Sequence, residues 1–117
     1  MIKKIELIIP RERLREINDM LHKHKVGGLT LYEIHGRGRS VPRPDVSRDS
    51  TSKSHIDPTF GERFKLEILV DSSLVKPIVD EMFQLPNKSP ADYIKIFVSD
   101  ISEAHDTGTK KSGSETI

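Results

Sequence analysis

Residues 27–39 read GGLTLYEIHGRGR and residues 63–70 read RFKLEILV, with SVPRPDVSRDSTSKSHIDPTFGER across residues 40–63 between them. The second stretch alternates cleanly. Phe64, Leu66, Ile68 and Val70 point one way, and Arg63, Lys65 and Glu67 point the other, as in a half-buried strand. Residues 29–36 form the preceding strand. The segment 40–63 is rich in Ser, Pro and charge and has almost nothing apolar to anchor it. A loop of that length inside a compact domain is uncommon and is usually functional or disordered. With both ends held by strands, it reads as a recognition loop on a rigid body, solvated when free and ordered by a partner.

Outward from this pair the pattern stays regular. Residues 2–9 (IKKIELII) are a strand with Ile5, Leu7 and Ile9 on one face, closed by Pro10. Residues 11–25 carry Leu14, Ile17 and Leu21 at helical spacing, and Gly27-Gly28 is the expected stop. Asp71 is placed to cap a second helix over 72–84, with Leu74, Val75, Ile78, Val79 and Met82 on its buried stripe. Residues 93–98 (YIKIFV) are a fourth strand. The polar, Gly/Ser/Thr-rich residues 99–117 form a C-terminal tail, much of it expected to be mobile. The order strand, helix, strand, strand, helix, strand predicts an α+β, ferredoxin-like βαββαβ sandwich with an antiparallel sheet. The domain is residues 1–98, and its central hairpin turn is replaced by the loop at 40–63. One sheet face is left to solvent or to other subunits.

Composition narrows the function. The chain has 117 residues, is 34% apolar and has a net charge of +1. Without loop and tail, roughly 75 residues remain for a core, few for a stable monomer, so an oligomer is expected. The near-zero charge offers no global field for nucleic acid or membrane. In the loop, Arg43, Arg48 and Lys53 balance Asp45, Asp49 and Asp57, with Phe60 the only aromatic, which also argues against nucleic acid. There is no cysteine, hence no disulfide, thiolate metal site or cysteine nucleophile. His22 and His24 point to different helix faces, and no carboxylate spacing supports a metal. No nucleophile–base pair stands out, so an enzyme is not expected. No apolar run approaches the roughly 20 residues of a membrane helix, and no signal-peptide pattern opens the chain. The expected location is cytoplasmic.

The element order, the opening KKIELII, the stretch GGLTLYEIHGRGR, its spacing to FKLEILV, and KIFV at 95–98 followed by Thr107-Gly108 together resemble the PII signal-transduction family. The resemblance covers nearly the whole chain. It implies a homotrimer that binds adenine nucleotides between subunits and signals through residues 40–63, the family's T-loop, to a transporter or enzyme of nitrogen or carbon metabolism. A membrane would be met only through a transporter partner. By resemblance Gly28, Leu29 and Thr30 face nucleotide from the neighbouring subunit. Ile8, Glu67 and Leu69 match strand positions of the site. Lys95 matches the phosphate-contacting lysine, and Arg63 stands where a lysine contacts 2-oxoglutarate. Gly36, Arg37, Gly38 and Arg39 form the loop base, where glycines admit close backbone approach and arginine offers a forked phosphate donor. Read alone, Lys95 and Arg63 are equally ordinary solvent-facing strand residues.

The departures are specific. Lys88–Lys95 lacks the three glycines of the family's nucleotide loop. His105-Asp106, not two arginines, lead into Thr107-Gly108. Ser40 replaces a glutamine that helps hold magnesium and 2-oxoglutarate, and the loop has no tyrosine to modify. Fewer phosphate contacts favour an effector with fewer phosphates among AMP, cAMP, ADP and ATP, or another small anion. No catalytic cofactor is expected. The alternative is a trimeric scaffold that has lost ligand binding. A metal-tolerance-type trimer of the same fold would have a short hairpin here, and the long charged loop argues against it.

Overall fold

The computed structural model describes residues 1–37 and 61–117. Gly38, Arg39, Ser40 and most of the recognition loop lie outside the described residues. The order is β1 (Ile2–Ile9), α1 (Leu14–Lys23), β2 (Thr30–Gly36), β3 (Gly61–Asp71), α2 (Val75–Gln84) and β4 (Lys95–Asp100). The sheet order is β2-β3-β1-β4, with every pairing antiparallel. This is the expected ferredoxin-like arrangement. Gly61 and Glu62, read from sequence as loop, belong to β3, where Gly61 pairs with Gly36. β4 starts two residues later and ends two residues later than expected.

Alternation decides what is buried. Ile5, Leu7 and Ile9 of β1 and Phe64, Leu66, Ile68 and Val70 of β3 meet Ile17, Met20, Leu21, Ile78 and Met82 from the helices. Each large aliphatic side chain buried this way contributes about 1.5–3 kcal/mol. Leu74 and Val75 are only partly buried at the rim of this core. The Asp71 carboxylate accepts from the Ser73 backbone N–H at 3.0 Å and from its hydroxyl at 2.6 Å. These bonds, chiefly the hydroxyl's, hold its pKa below the usual carboxylate range.

The stop of α1 differs from the expected one. Lys25, not Gly27-Gly28, takes the left-handed conformation, with φ 62°. The Val26 N–H donates to the Leu21 carbonyl and the Lys25 N–H to the His22 carbonyl, which is a Schellman closure. Val26 is buried in the core cluster with Leu21, supplying the apolar contact that accompanies the motif. A Cβ in this conformation is crowded by the following carbonyl, at a cost of about 1–2 kcal/mol. Lys25→Gly is therefore expected to stabilise the protein by about 1 kcal/mol in chemical denaturation.

The tail is more structured than its composition predicted. Strands β5 (His105–Asp106) and β6 (Lys111–Ser112) pair as a small hairpin. Asp106 accepts from the Gly108 and Thr109 backbone N–H groups, which depresses its pKa and places Thr107-Gly108 in the turn. His105 hydrogen-bonds Ser112 across the hairpin at 2.7 Å and Glu103 at 3.2 Å. A serine, a histidine and a carboxylate thus stand in line, but His105 and Glu103 are 62% and 80% exposed. Water competes for every bond there, and the contacts serve to pin the hairpin.

Candidate functional site

The helices cover one sheet face. The opposite face carries Lys4, Glu6 and Ile8 of β1, Thr30, Tyr32 and Ile34 of β2, Arg63, Lys65, Glu67 and Leu69 of β3, and Lys95 and Phe97 of β4, as the strand register dictates. Five of the sequence-predicted site residues, Ile8, Thr30, Arg63, Glu67 and Lys95, share this face, because the patterning gave β1 and β3 a polar side.

At its centre Glu6 and Glu67 stand directly opposite each other. Like charges in that position repel. Two lysines bracket them. Lys4 lies 3.2 Å from Glu6 and 3.9 Å from Glu67, and Lys65 lies 3.7 and 3.8 Å from the same pair. Glu6, by its hydrogen bond and charge, raises the Lys4 pKa. Tyr32 extends the network. Its hydroxyl donates to Glu67 at 3.3 Å, and the Lys65 ammonium sits 5.6 Å from its ring centroid.

Towards one end, the C-terminal segment folds over this face. Lys4, Thr30, Glu67 and Leu69 form the floor of a cavity of about 670 Å³, and Ile101, Ala104 and Thr107 are among the residues of its wall. Thr30 and Glu67 are register partners, so the structure brings these two predicted residues together. Gly28 and Leu29, just before β2, are exposed, and a side chain at Gly28 would meet open space.

Towards the other end stands Lys95. Ile8 is the register partner of both Lys65 and Lys95, of which Lys65 is already paired with Glu6 and Glu67. Lys95 is exposed and makes no ion pair among the described residues. Gly36 and Arg37, both exposed, lie at the root of the 38–60 segment. Arg63 is engaged elsewhere. Its guanidinium donates to the Ala91 carbonyl at 3.3 Å and the Tyr93 carbonyl at 3.4 Å. Along β3, Arg63 lies about 13 Å from Glu67. Within one subunit the predicted residues therefore form two successive groups rather than one pocket.

The turn that joins α2 to β4 explains why Arg63 points there. Pro90–Asp92 form one 3₁₀ turn, with the Asp92 N–H bonded to the Ser89 carbonyl and the Tyr93 N–H to the Pro90 carbonyl. The Asp92 carboxylate accepts from the Lys88 N–H at 2.8 Å. Its N–H groups at 88, 92 and 93 are thus used internally, and Pro86 and Pro90 have none. The carbonyls face arginines. This is the opposite polarity of a phosphate cradle, in which free N–H groups converge on an anion.

Arg13 is the residue that sequence reading missed. It is 7% exposed. Its Nε donates to Glu16 at 2.7 Å, and one terminal nitrogen donates to the Asn87 side chain at 2.7 Å and the Asp92 carbonyl at 2.9 Å. A signal was present: Arg13, Ile17 and Leu21 recur every fourth residue, which places Arg13 on the buried stripe.

The chain is similar to known proteins over its full length. The family described as Nitrogen regulatory protein P-II matches residues 2–111. A nitrogen regulatory protein P-II of Bradyrhizobium diazoefficiens is 31% identical over 99% of this chain and 100% of its own. One from Azospirillum brasilense is 28% identical with the same coverage. The crystal structure of Arabidopsis thaliana PII bound to citrate matches with a TM-score of 0.74 at 20% identity, covering 99% of this chain and 92% of that one. That last likeness speaks for the fold.

Proposed function

Since the chain belongs to the nitrogen regulatory protein P-II family, a family of regulators rather than catalysts, we propose that it assembles as a cytoplasmic homotrimer and binds a small effector between subunits. The effector is an adenine nucleotide, and residues 40–63 carry the signal to a transporter or enzyme of nitrogen or carbon metabolism. The observation that carries this reading is the cavity over Thr30 and Glu67 on the helix-free face. Two residues that resemblance assigns to nucleotide share its floor, and its mixed lining, with Lys4, Thr30 and Glu67 among apolar residues, suits a flat base with hydrogen-bonding edges. Lys95 and Arg37 supply the positive charge for phosphate. Arg39 and Ser40 complete the site by resemblance. A turn whose 88, 92 and 93 N–H groups are already bonded has few left to wrap a polyphosphate, so AMP and ADP bind at least as tightly as ATP. Among the described residues no helix is long and apolar enough to cross a membrane. A membrane partner is thus reached through a transporter.

Calorimetric titration with AMP, cAMP, ADP, ATP and bicarbonate tests this, and citrate belongs in the series because a protein of the same fold holds it. Lys95→Ala is expected to weaken nucleotide binding about tenfold, the loss of one charge-assisted contact. No heat with any of these compounds favours the second reading, a trimeric scaffold without ligand. The turn at 88–93, with three of its N–H groups bonded internally, is the observation on that side. A pull-down comparing the wild type with a 42–58 deletion then identifies what the scaffold holds.

A further inference from the structure

The segment after β6 turns back onto the cavity over Thr30 and Glu67. Gly113 takes the left-handed conformation, φ 74°, and its N–H donates to the Ala104 carbonyl at 2.9 Å. Ala104 belongs to the cavity wall. Past Gly113 the chain makes a single 3₁₀ turn, Gly113–Thr116, in which the Thr116 hydroxyl donates to the Gly113 carbonyl at 2.7 Å. This carries Thr116 and Ile117 into the cavity lining, where Ile117 adds a large apolar side chain to Leu69 and Ile101. The hold on the segment is thin. Ile117 keeps 49% of its surface exposed, and no side chain caps the turn. Segments with few buried contacts open at low free energy. A flat ring entering over Thr30 and Glu67 competes for the apolar surface that Ile117 uses.

We propose that residues 113–117 form an autoinhibitory lid on this cavity, with Gly113 as its hinge. Shut, the lid sets Thr116 and Ile117 where the effector goes. Open, it leaves Thr30, Glu67 and Leu69 clear. The apparent affinity for an effector then falls in proportion to the fraction of molecules whose lid is open. The inference rests on the reading that an effector enters this cavity, while the shut lid itself is observable without one. Two substitutions loosen the lid by different physics. Ile117→Ser removes the apolar hold, and half the worth of a buried isoleucine is about fivefold in the opening equilibrium. Gly113→Val leaves every contact of the turn in place and acts on the backbone. A Cβ at Gly113 meets nothing within 4 Å, so only the left-handed conformation resists it, which is worth about tenfold.

Calorimetric titration of the full chain with ADP, beside NMR backbone order parameters at Glu115 and Thr116, tests this. Ile117→Ser is expected to bind ADP about fivefold more tightly than the wild type, and Gly113→Val about tenfold. Ser114→Ala, exposed and outside the lining, leaves the affinity unchanged. Without ligand the two reporters are rigid in the wild type, with order parameters of about 0.85, and fall below about 0.6 in Gly113→Val. ADP produces the same fall in the wild type. The proposal is overturned if both variants bind ADP as the wild type does or more weakly, a result that leaves the nucleotide reading intact. It is also overturned if the reporters are already mobile in the ligand-free wild type, or stay rigid when ADP binds. ADP binding to the variants but not to the wild type supports a lid that is shut more firmly. If ADP binds none of these proteins, the nucleotide reading fails by itself, and the lid is then decided by whether Gly113→Val frees reporters that are rigid in the wild type.

Discussion

Replacing Arg13 by alanine is expected to cost the protein about 2–3 kcal/mol, the value of breaking charge-assisted bonds in a buried place. The substitution leaves the Asp92 carbonyl and the Asn87 side-chain oxygen without their donor. Glu16 is 44% exposed and returns to water, so its share of the loss is small and the figure stays below that for a fully buried pair. Against a total of about 5–15 kcal/mol for a domain, this is a large fraction. Denaturant unfolding at fixed protein concentration measures it, because assembly would otherwise shift the midpoint. The effect is also local. Asn87→Ala alone should cost about 1 kcal/mol, and the double substitution should cost little more than Arg13→Ala, because the two share one bond. A loss for Arg13→Ala below about 1 kcal/mol would mean that water replaces the guanidinium and that the turn stands without it.

The strands and helices were legible in the sequence because their cores alternate without interruption. Phe64, Leu66, Ile68 and Val70 occupy every second position and Ile17 and Leu21 one helical turn apart, and each is buried where that spacing puts it. Misreadings cluster where a side chain overrides backbone propensity. Gly27-Gly28 were the obvious helix stop, yet Lys25 adopts the left-handed cap because burying Val26 against Leu21 demands closure at that point. The tail looked featureless because an Asx turn at Asp106 and a His105–Ser112 contact are single-residue devices with no period to detect.

For the site, the family resemblance singled out Thr30, Glu67, Ile8 and Lys95, and the strand register puts them on one face. The resemblance did not show that Arg63 is engaged with the turn at 91–93. Backbone carbonyls carry no sequence signal, so an arginine bonded to them reads like one aimed at a ligand. The missing glycines of residues 88–95 were visible, but their consequence was not. Pro90, Asp92 and Arg13 together build a different turn, and Arg13 comes to it from a distant part of the chain.

Reversing one charge on the helix-free face should separate assembly from folding. Lys65→Glu places a third carboxylate beside Glu6 and Glu67, at distances now near 3.7–3.8 Å for the lysine. While the face is open to water, the repulsion is about 1 kcal/mol per pair at this range, and the side chains can swing apart. Under a neighbouring subunit the effective dielectric falls, each like-charge pair costs about 4 kcal/mol, and every copy of the interface bears it. The expected result is a folded monomer: circular dichroism unchanged, and sedimentation shifted from the proposed trimer to one 13.3 kDa chain. Lys76→Glu is the matched control, since Lys76 pairs with Asp80 on exposed α2 at 84% and 53% exposure, and it should leave the mass of the assembly unchanged. A Lys65→Glu protein that still sediments as the trimer would place the subunit contacts elsewhere, because a covered quartet cannot absorb a third carboxylate at this spacing. If the wild type itself sediments as one chain, the face is open to water as it stands, and the cavity over Thr30 and Glu67 has no second subunit to close it.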